Sequence, residues 1–186
     1  MPRIEPLSIS DLAPAERSAV EKAEGMMGFV ANDALTMARN PELMHAFAKL
    51  VGAIYKPSRI DNGLKRLIGL ITSSAAGCEY CMGHTAFTSE KFGVATHKIE
   101  QVWQFETSDG FTDAERVALR VALHGGQSPS GVTDEMFQEL AQHFDVDQQL
   151  EIVSVIALFG FLNRWNATLA TELEGLPGAA LAKLRS

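Results

Sequence analysis

Residues 64–85 read LKRLIGLITSSAAGCEYCMGHT, and the first half of this stretch has strong helical periodicity. Its apolar side chains recur at the three- and four-residue spacing of one helix face: Leu64, Leu67, Ile68, Ile71 and Ala75. Glycine at position 77 favours the end of this helix, because glycine adopts the left-handed conformation that commonly follows a helix. The stretch therefore predicts two consecutive helices, the second of which begins near Cys78.

The same helical spacing extends over the rest of the chain. Side chains that cap a first turn signal several helix starts: Asn40 before Pro41, Thr112 with Glu115, and Asp145 with Gln148. No segment alternates apolar and polar residues for long enough to predict a strand. We therefore expect an all-α fold, a single-domain bundle of about eight helices over residues 1–186.

The longest predicted helix begins at Asp145 and runs to about Glu174. Its middle is apolar on all sides, with a nearly unbroken apolar run from Ile152 to Leu162. This pattern is typical of a helix enclosed by other helices, whereas a membrane span needs about 20 apolar residues. We expect a buried core helix and no membrane association.

Composition excludes several classes of protein. The chain carries 16 Lys and Arg against 23 Asp and Glu, a net charge of −7, so no basic stripe is present to bind nucleic acid. Two cysteines are too few for a disulfide scaffold. Residues 1–8 lack the apolar stretch of a secretory signal. We therefore expect a cytoplasmic protein, in a compartment where thiols stay reduced unless they perform redox chemistry.

The chemistry points to Cys78, Cys81 and His84, which follow one another at three-residue intervals. A helix beginning near Cys78 places both thiols in its first turn, where unsatisfied N–H groups favour a thiolate. Cys81 can then face both of the other side chains. We predict that Cys81 is the nucleophile and His84 its base or proton carrier. Cys78 closes a disulfide after Cys81 has been oxidised to a sulfenic acid.

Three other interpretations of these residues remain open. The cysteines can be packing residues of a helical core. They can form a redox switch that reacts once per chain instead of turning over. They can also bind zinc, but a zinc site as a rule needs four ligands, and His97 or Glu90 would have to supply the fourth. We expect neither a bound metal nor a resident cofactor.

At these residues the chain resembles the alkylhydroperoxidase D-like, carboxymuconolactone decarboxylase superfamily, and in particular its peroxidase-related branch. The resemblance covers about residues 15–170 and rests on four segments: Asn40–Leu43, Leu64–Thr85, Phe111–Arg116 and Phe159–Asn166. It implies an all-α bundle that assembles as a homo-oligomer, whether dimer, trimer or hexamer. Members named for decarboxylation lack the thiol pair, so that reaction is not the one implied here.

The resemblance also implies an activity, the thiol-dependent reduction of small-molecule hydroperoxides. Cys81 would form the sulfenic acid and Cys78 would resolve it. An external dithiol, such as a lipoyl or thioredoxin-like donor protein, would then reduce the disulfide. One position departs from the family: a relay glutamate commonly lies twelve residues before the first cysteine, where this chain has Arg66. Arginine cannot act as a base, and the acidic residues that could replace the glutamate are Glu79, Glu90 and Asp61.

Overall fold

The computed structural model describes residues 1–185, and within them the chain is helical with no β-strand. The predicted all-α fold is confirmed. The helices are α1 (Pro14–Met27), α2 (Asn32–Met37), α3 (Pro41–Tyr55), α4 (Asn62–Ala75), α5 (Glu79–Lys91), α6 (Thr96–Glu100), α7 (Asp113–Gly125), α8 (Asp134–His143), α9 (Val146–Leu169) and α10 (Gly175–Leu184), with 3₁₀ helices at Ile9–Asp11 and Val102–Gln104.

The described chain thus has ten α-helices where the sequence predicted about eight. Two of them, α2 and α6, have six and five residues. A helix of this length makes fewer than two turns, so its apolar residues cannot repeat on one face often enough to show periodicity. Their shortness explains why the sequence underestimates the number of helices.

Helix α4 forms the centre of the core, and it packs against α5, α7 and α9. Four of its apolar side chains are at most 1% exposed: Leu67, Ile68, Leu70 and Ile71. Full burial of each such side chain contributes about 1.5–3 kcal/mol. The approach of α9 is close, because a Cβ atom on Gly69 would lie 2.3 Å from the ring of Phe159. Glycine at this position therefore determines how near the two helices come.

The predicted helix starts have the expected hydrogen bonds. The Asn40 side chain accepts a hydrogen bond from the Leu43 N–H at the start of α3. Reciprocal capping boxes begin α7, between Thr112 and Glu115, and α9, between Asp145 and Gln148. Each box satisfies backbone N–H groups that have no partner inside the helix.

Helix α9 differs from the prediction that other helices enclose it. One side is buried, but several large apolar side chains lie in solvent: Val146, Leu150, Val153 and Phe161 are 77%, 65%, 37% and 39% exposed. The apolar residues on all sides of α9 thus predicted a fully buried helix, but in the structure other helices cover only one side of it. By length and mean hydropathy, 1.3, this is the one helix in residues 1–185 that could span a membrane. Core helices of soluble proteins pass the same test.

A second apolar cluster lies outside the main core and is formed by the N-terminal segment with α1, α2 and α3. Its buried members are Leu12, Val20, Leu35, Met37, Ala38 and Met44, and Trp165 of α9 packs against them. At the other end of the chain, α10 packs on α5. Helix α5 is therefore covered by the last helix of the chain, which brings C-terminal residues beside the cysteine motif.

Candidate active site

The turn between α4 and α5 positions the two cysteines. Gly77 has a φ of 68° there, the left-handed conformation that favours glycine. Cys78 precedes the first residue of α5, and its N–H donates to the carbonyl oxygen of Ser73 at 3.0 Å. Its sulfur accepts a hydrogen bond from the N–H of Cys81 at 3.4 Å. The two thiols therefore lie in the first turn of α5, as the sequence predicts.

Both cysteines are free thiols and are buried, with 3% and 2% of Cys78 and Cys81 exposed. Cys81 lines a cavity of about 170 Å³, and Cys78 is not among the lining residues. Half of the lining residues are apolar or aromatic side chains of α1, α3 and α9: Met27, Phe47, Val51, Tyr55, Leu158, Phe159 and Leu162. A small apolar molecule in this cavity would meet Cys81 before Cys78.

The two thiols have opposite pKa shifts. The Cys81 S–H donates to the sulfur of Cys78, and this contact, with the backbone N–H of Cys81, lowers the pKa of Cys78 although burial opposes it. The same S–H contact raises the pKa of Cys81, and burial raises it further. Of the two thiols, Cys78 is therefore the one that loses its proton more readily, while the thiol that faces the cavity holds its proton more tightly.

Asn166, on α9 and only 1% exposed, connects Cys81 to a carboxyl group. Its Nδ2 atom lies 3.5 Å from the Cys81 sulfur and 3.4 Å from Oδ2 of Asp33. Burial raises the pKa of Asp33, although His84 and the Asn166 hydrogen bond oppose the shift, and Asp33 lines the same cavity as Cys81. The amide favours a thiolate at Cys81 once the proton has left, and burial makes Asp33 a weaker acid than an exposed aspartate.

His84 also lines the cavity, and its ring is held by Glu174 and Tyr80. Its Nε2 atom is 2.6 Å from Oε2 of Glu174, and the ring stacks on that of Tyr80 with centroids 4.2 Å apart. The Tyr80 hydroxyl donates to Oε1 of Glu174 at 2.8 Å and accepts from the N–H of Asp33 at 3.2 Å. Within residues 1–185 no hydrogen bond joins His84 to either cysteine, so its role as base for Cys81 stays a prediction.

The carboxylate beside His84 is therefore Glu174 and none of the three predicted from the sequence. Glu79 pairs with Arg185, a carboxylate oxygen of Glu90 lies 3.7 Å from Nζ of Lys183, and Asp61 caps the start of α4. Burial alone would raise the pKa of Glu174, but the hydrogen bond and charge of His84 outweigh burial and lower it. Glu174 is thus held ionised.

Arg66 occupies the wall of the same cavity. Its guanidinium carbon lies 3.9 Å from the ring centroid of Tyr55 and 4.7 Å from that of Phe92. At the position where the family resemblance implies a relay glutamate, this chain therefore has a cation that stacks on aromatic rings and faces the cavity.

The remaining histidines lie elsewhere. His45 contacts Glu16 at 2.8 Å, and His124 and His143 end α7 and α8. His97 lies in α6. In the part of the chain that the structure describes, no three His, Cys, Asp or Glu side chains are grouped so that they could hold a metal ion. His97 and Glu90 therefore do not complete a zinc site with the cysteine motif.

The sequence singled out the cysteines and His84 but not Asp33 and Glu174, which the structure places close to them. Neither residue lies in a motif, because each reaches the site from a distant helix end: Asp33 from α2 and Glu174 from the residue before α10. Asn166 belongs to a segment that the sequence singled out, but its contact with Cys81 depends on how α9 crosses α5.

Comparisons with known proteins agree with this fold. A model of the carboxymuconolactone decarboxylase family matches residues 41–124. The chain is 38% identical to the debrominase Bmp8, with a TM-score of 0.91, and the match covers 97% of both chains. It is equally similar to a Bmp8 variant, with one cysteine changed to alanine, in complex with 2,3,4-tribromopyrrole.

Two more distant relatives extend the comparison. The chain is 27% identical over 139 residues to YnjA of Escherichia coli, which is 74% of this chain and 76% of that protein. A peroxidase-related protein from Ralstonia eutropha with an alkylhydroperoxidase D core is 23% identical, with a TM-score of 0.84 over 100% of this chain and 97% of that one. At that identity the likeness concerns the fold alone.

Proposed function

The chain belongs to the carboxymuconolactone decarboxylase family and its alkylhydroperoxidase D-like superfamily, and from this membership and the site we propose that it is a thiol-dependent reductase that removes halogen from a small aromatic ring. The observation that carries the proposal is the cavity beside Cys81. A cavity of about 150 Å³ lined by apolar side chains binds benzene, and the cavity here is about 170 Å³. This cavity therefore has the volume and the apolar lining to hold one aromatic ring.

Similarity to Bmp8 supports the same class of substrate. Bmp8 is a debrominase, and its variant binds a brominated five-membered ring. The match covers nearly the whole of both chains at 38% identity, and this chain has its free thiols beside a cavity of suitable size. Halogenated rings are therefore a better first substrate class than hydroperoxides for this protein.

The reaction balances with the two thiols as the source of two electrons. The Cys81 proton passes to the Cys78 thiolate, and the Cys81 sulfur then takes the halogen from the ring while the ring carbon accepts a proton. Asp33, a carboxyl group with a raised pKa, is placed to supply that proton. Cys78, after losing its proton, attacks the Cys81 sulfur and expels halide. An aryl halide and two thiols thus become an arene, a hydrogen halide and a disulfide.

Turnover requires a further dithiol, since each cycle leaves Cys78 and Cys81 oxidised. We propose a lipoyl or thioredoxin-like protein as this donor, because either can exchange thiols with a disulfide. The same requirement separates an enzyme from a redox switch, which would react once per chain and stop.

Hydroperoxide reduction is the second candidate, and the pair formed by His84 and Glu174 favours it. A peroxide needs a proton for the leaving alcohol or water, and a histidine held by an ionised carboxylate is suited to supply one. The thiol steps are the same: Cys81 becomes a sulfenic acid, and Cys78 displaces water to form the disulfide. An apolar organic hydroperoxide would fit the same cavity.

The test is steady-state turnover with dihydrolipoamide as reductant, measured as bromide release from a brominated phenol and as consumption of tert-butyl hydroperoxide. We expect bromide release that disappears in Cys81→Ser. In Cys78→Ser we expect a sulfenic acid trapped at Cys81, formed directly by the peroxide or, with the brominated phenol, when water displaces bromide from the Cys81 sulfur. Peroxide consumption without bromide release would replace the first function by the second. Turnover that persists in Cys81→Ser would contradict both.

A further inference from the structure

The cavity beside Cys81 contains a cation that the reaction steps above do not use. Within residues 1–185, no carboxylate and no backbone carbonyl accepts a hydrogen bond from Arg66, and its Nε atom is buried without a hydrogen-bond partner. The groups nearest the guanidinium are the ring of Tyr55, with its hydroxyl, and the ring of Phe92. Most other arginines of the chain bond to carboxylate or carbonyl oxygens; Arg120, for example, contacts Glu106 and Glu139.

Arg66 is half-buried, and a charge that is partly withdrawn from water without a counterion is costly, so this arrangement favours a compensating group. Stacking on two aromatic rings offsets part of the cost. Arginine stays protonated in proteins and presents a planar set of donors that suits an anionic oxygen or nitrogen. The guanidinium is thus prepared for an anion that the protein itself does not provide.

The carboxyl groups around the cavity bond to other residues, so neither of them serves as the counterion of Arg66. Asp33 is the one carboxyl group among the lining residues, and its Oδ2 atom accepts a hydrogen bond from Asn166. Glu174 is taken up by His84. An anion that enters beside Cys81 therefore finds Arg66 available as its counterion.

We propose that Arg66 binds the substrate by its negative charge, so that the protein selects aromatic rings in their conjugate-base form, such as halogenated phenolates, over neutral rings of the same shape. The inference rests on the proposed function, because it names the substrate class of that reaction. Arg66 is then a specificity residue: the apolar wall accepts the ring, and the guanidinium requires the charge.

Binding tests this without turnover. In Cys81→Ser, which cannot release halide, the affinity of 2,6-dibromophenol is measured by calorimetry across its ionisation range and compared with that of 2,6-dibromoanisole, the neutral methyl ether. We expect affinity for the phenol to rise as it ionises and to exceed that for the ether by about tenfold or more, as for a charge-assisted hydrogen bond in a desolvated site.

Three further variants, made in the same Cys81→Ser background, assign this preference to Arg66. Arg66→Met is expected to bring the two affinities within about twofold of each other, while Arg66→Lys keeps part of the preference. Lys56→Met removes an equal charge from an exposed side chain next to Tyr55 and is expected to change nothing. A preference that survives Arg66→Met, or affinity that does not rise with ionisation, overturns the proposal. The second criterion holds even if Arg66→Met does not fold.

The two proposals fail in distinguishable ways. Charge-selective binding without bromide release in the protein with both thiols would refute dehalogenation and leave Arg66 as the anion-binding residue. Bromide release at equal efficiency from the phenol and its ether would support dehalogenation and refute the role of Arg66.

Discussion

His84 and Glu174 lie 90 positions apart in the sequence, and their side chains are joined by a 2.6 Å contact between Nε2 of His84 and Oε2 of Glu174. Glu174 is thus the carboxylate in contact with His84, while the position at which the family resemblance implies a relay glutamate holds Arg66. The last helix of the chain thus completes a site whose other residues lie on α2, α5 and α9.

The stability conferred by Glu174 should depend on pH. Its pKa is lowered in the folded protein, so its contribution is complete above the unfolded glutamate pKa, about 4.3, and is lost as the pH falls through the lower folded value. Glu174→Gln should therefore reduce the free energy of unfolding by about 1.5–3 kcal/mol at neutral pH. The difference from wild type should shrink as the pH falls below about 4.

Urea unfolding of both proteins at several pH values measures this difference. Glu24→Gln, which changes an exposed glutamate of α1, is the matched control and should show little loss at any pH. A loss that stays constant down to the acid limit would mean that the Glu174 charge is not what stabilises the contact with His84.

Gly83 determines how closely α10 approaches the motif. A Cβ atom there would lie 2.8 Å from the carbonyl oxygen of Pro177 and 3.1 Å from Leu173, the residues on either side of the Glu174 segment. Gly83→Ala should therefore push α10 outward and lengthen the contact between Glu174 and His84. We expect kcat/KM to fall by about ten- to a hundredfold, as for a misplaced active-site group.

The control for this change is Gly160→Ala, because a Cβ atom at Gly160 meets nothing within 4 Å. Thermal unfolding of both variants separates a local displacement from loss of the fold. Unchanged kcat/KM in a folded Gly83→Ala protein would show that the reaction does not depend on the position of Glu174.

The sequence correctly predicted those features of the fold that depend on a pattern of neighbouring residues. The helical class, the end of α4 at the Gly77 turn and both thiols in the first turn of α5 follow from spacing and capping chemistry over a few residues. Asp33 and Glu174 could not be found in this way, because their positions depend on how α2 and α10 pack against α5. The exposed face of α9 was missed for a related reason: a helix with apolar residues on all sides does not reveal which side is covered.

The lowered pKa of Cys78 can be tested by changing Cys81. Because the S–H of Cys81 lowers the pKa of Cys78, Cys81→Ala should move the thiolate titration to higher pH. Cys81→Ser keeps a hydroxyl donor and should titrate close to wild type. Thiolate ultraviolet absorbance against pH measures both, and wild type should begin to titrate below the ordinary cysteine pKa of about 8.5. Equal titration in the alanine and serine variants would refute the hydrogen bond as the cause.

The contact between α4 and α9 can be tested with two glycines that share a helical setting and differ in their neighbours. Gly52, in α3, has nothing within 4 Å of an added Cβ atom, so Gly52→Ala should stabilise the protein by about 0.5–1 kcal/mol through helix propensity. At Gly69 the added atom would meet the Phe159 ring, so Gly69→Ala should destabilise it by about 1–3 kcal/mol. Free energies of unfolding from urea titration should thus change in opposite directions. If both variants were stabilised equally, the Phe159 ring would have to yield freely, and the close approach of α9 would not depend on glycine at position 69.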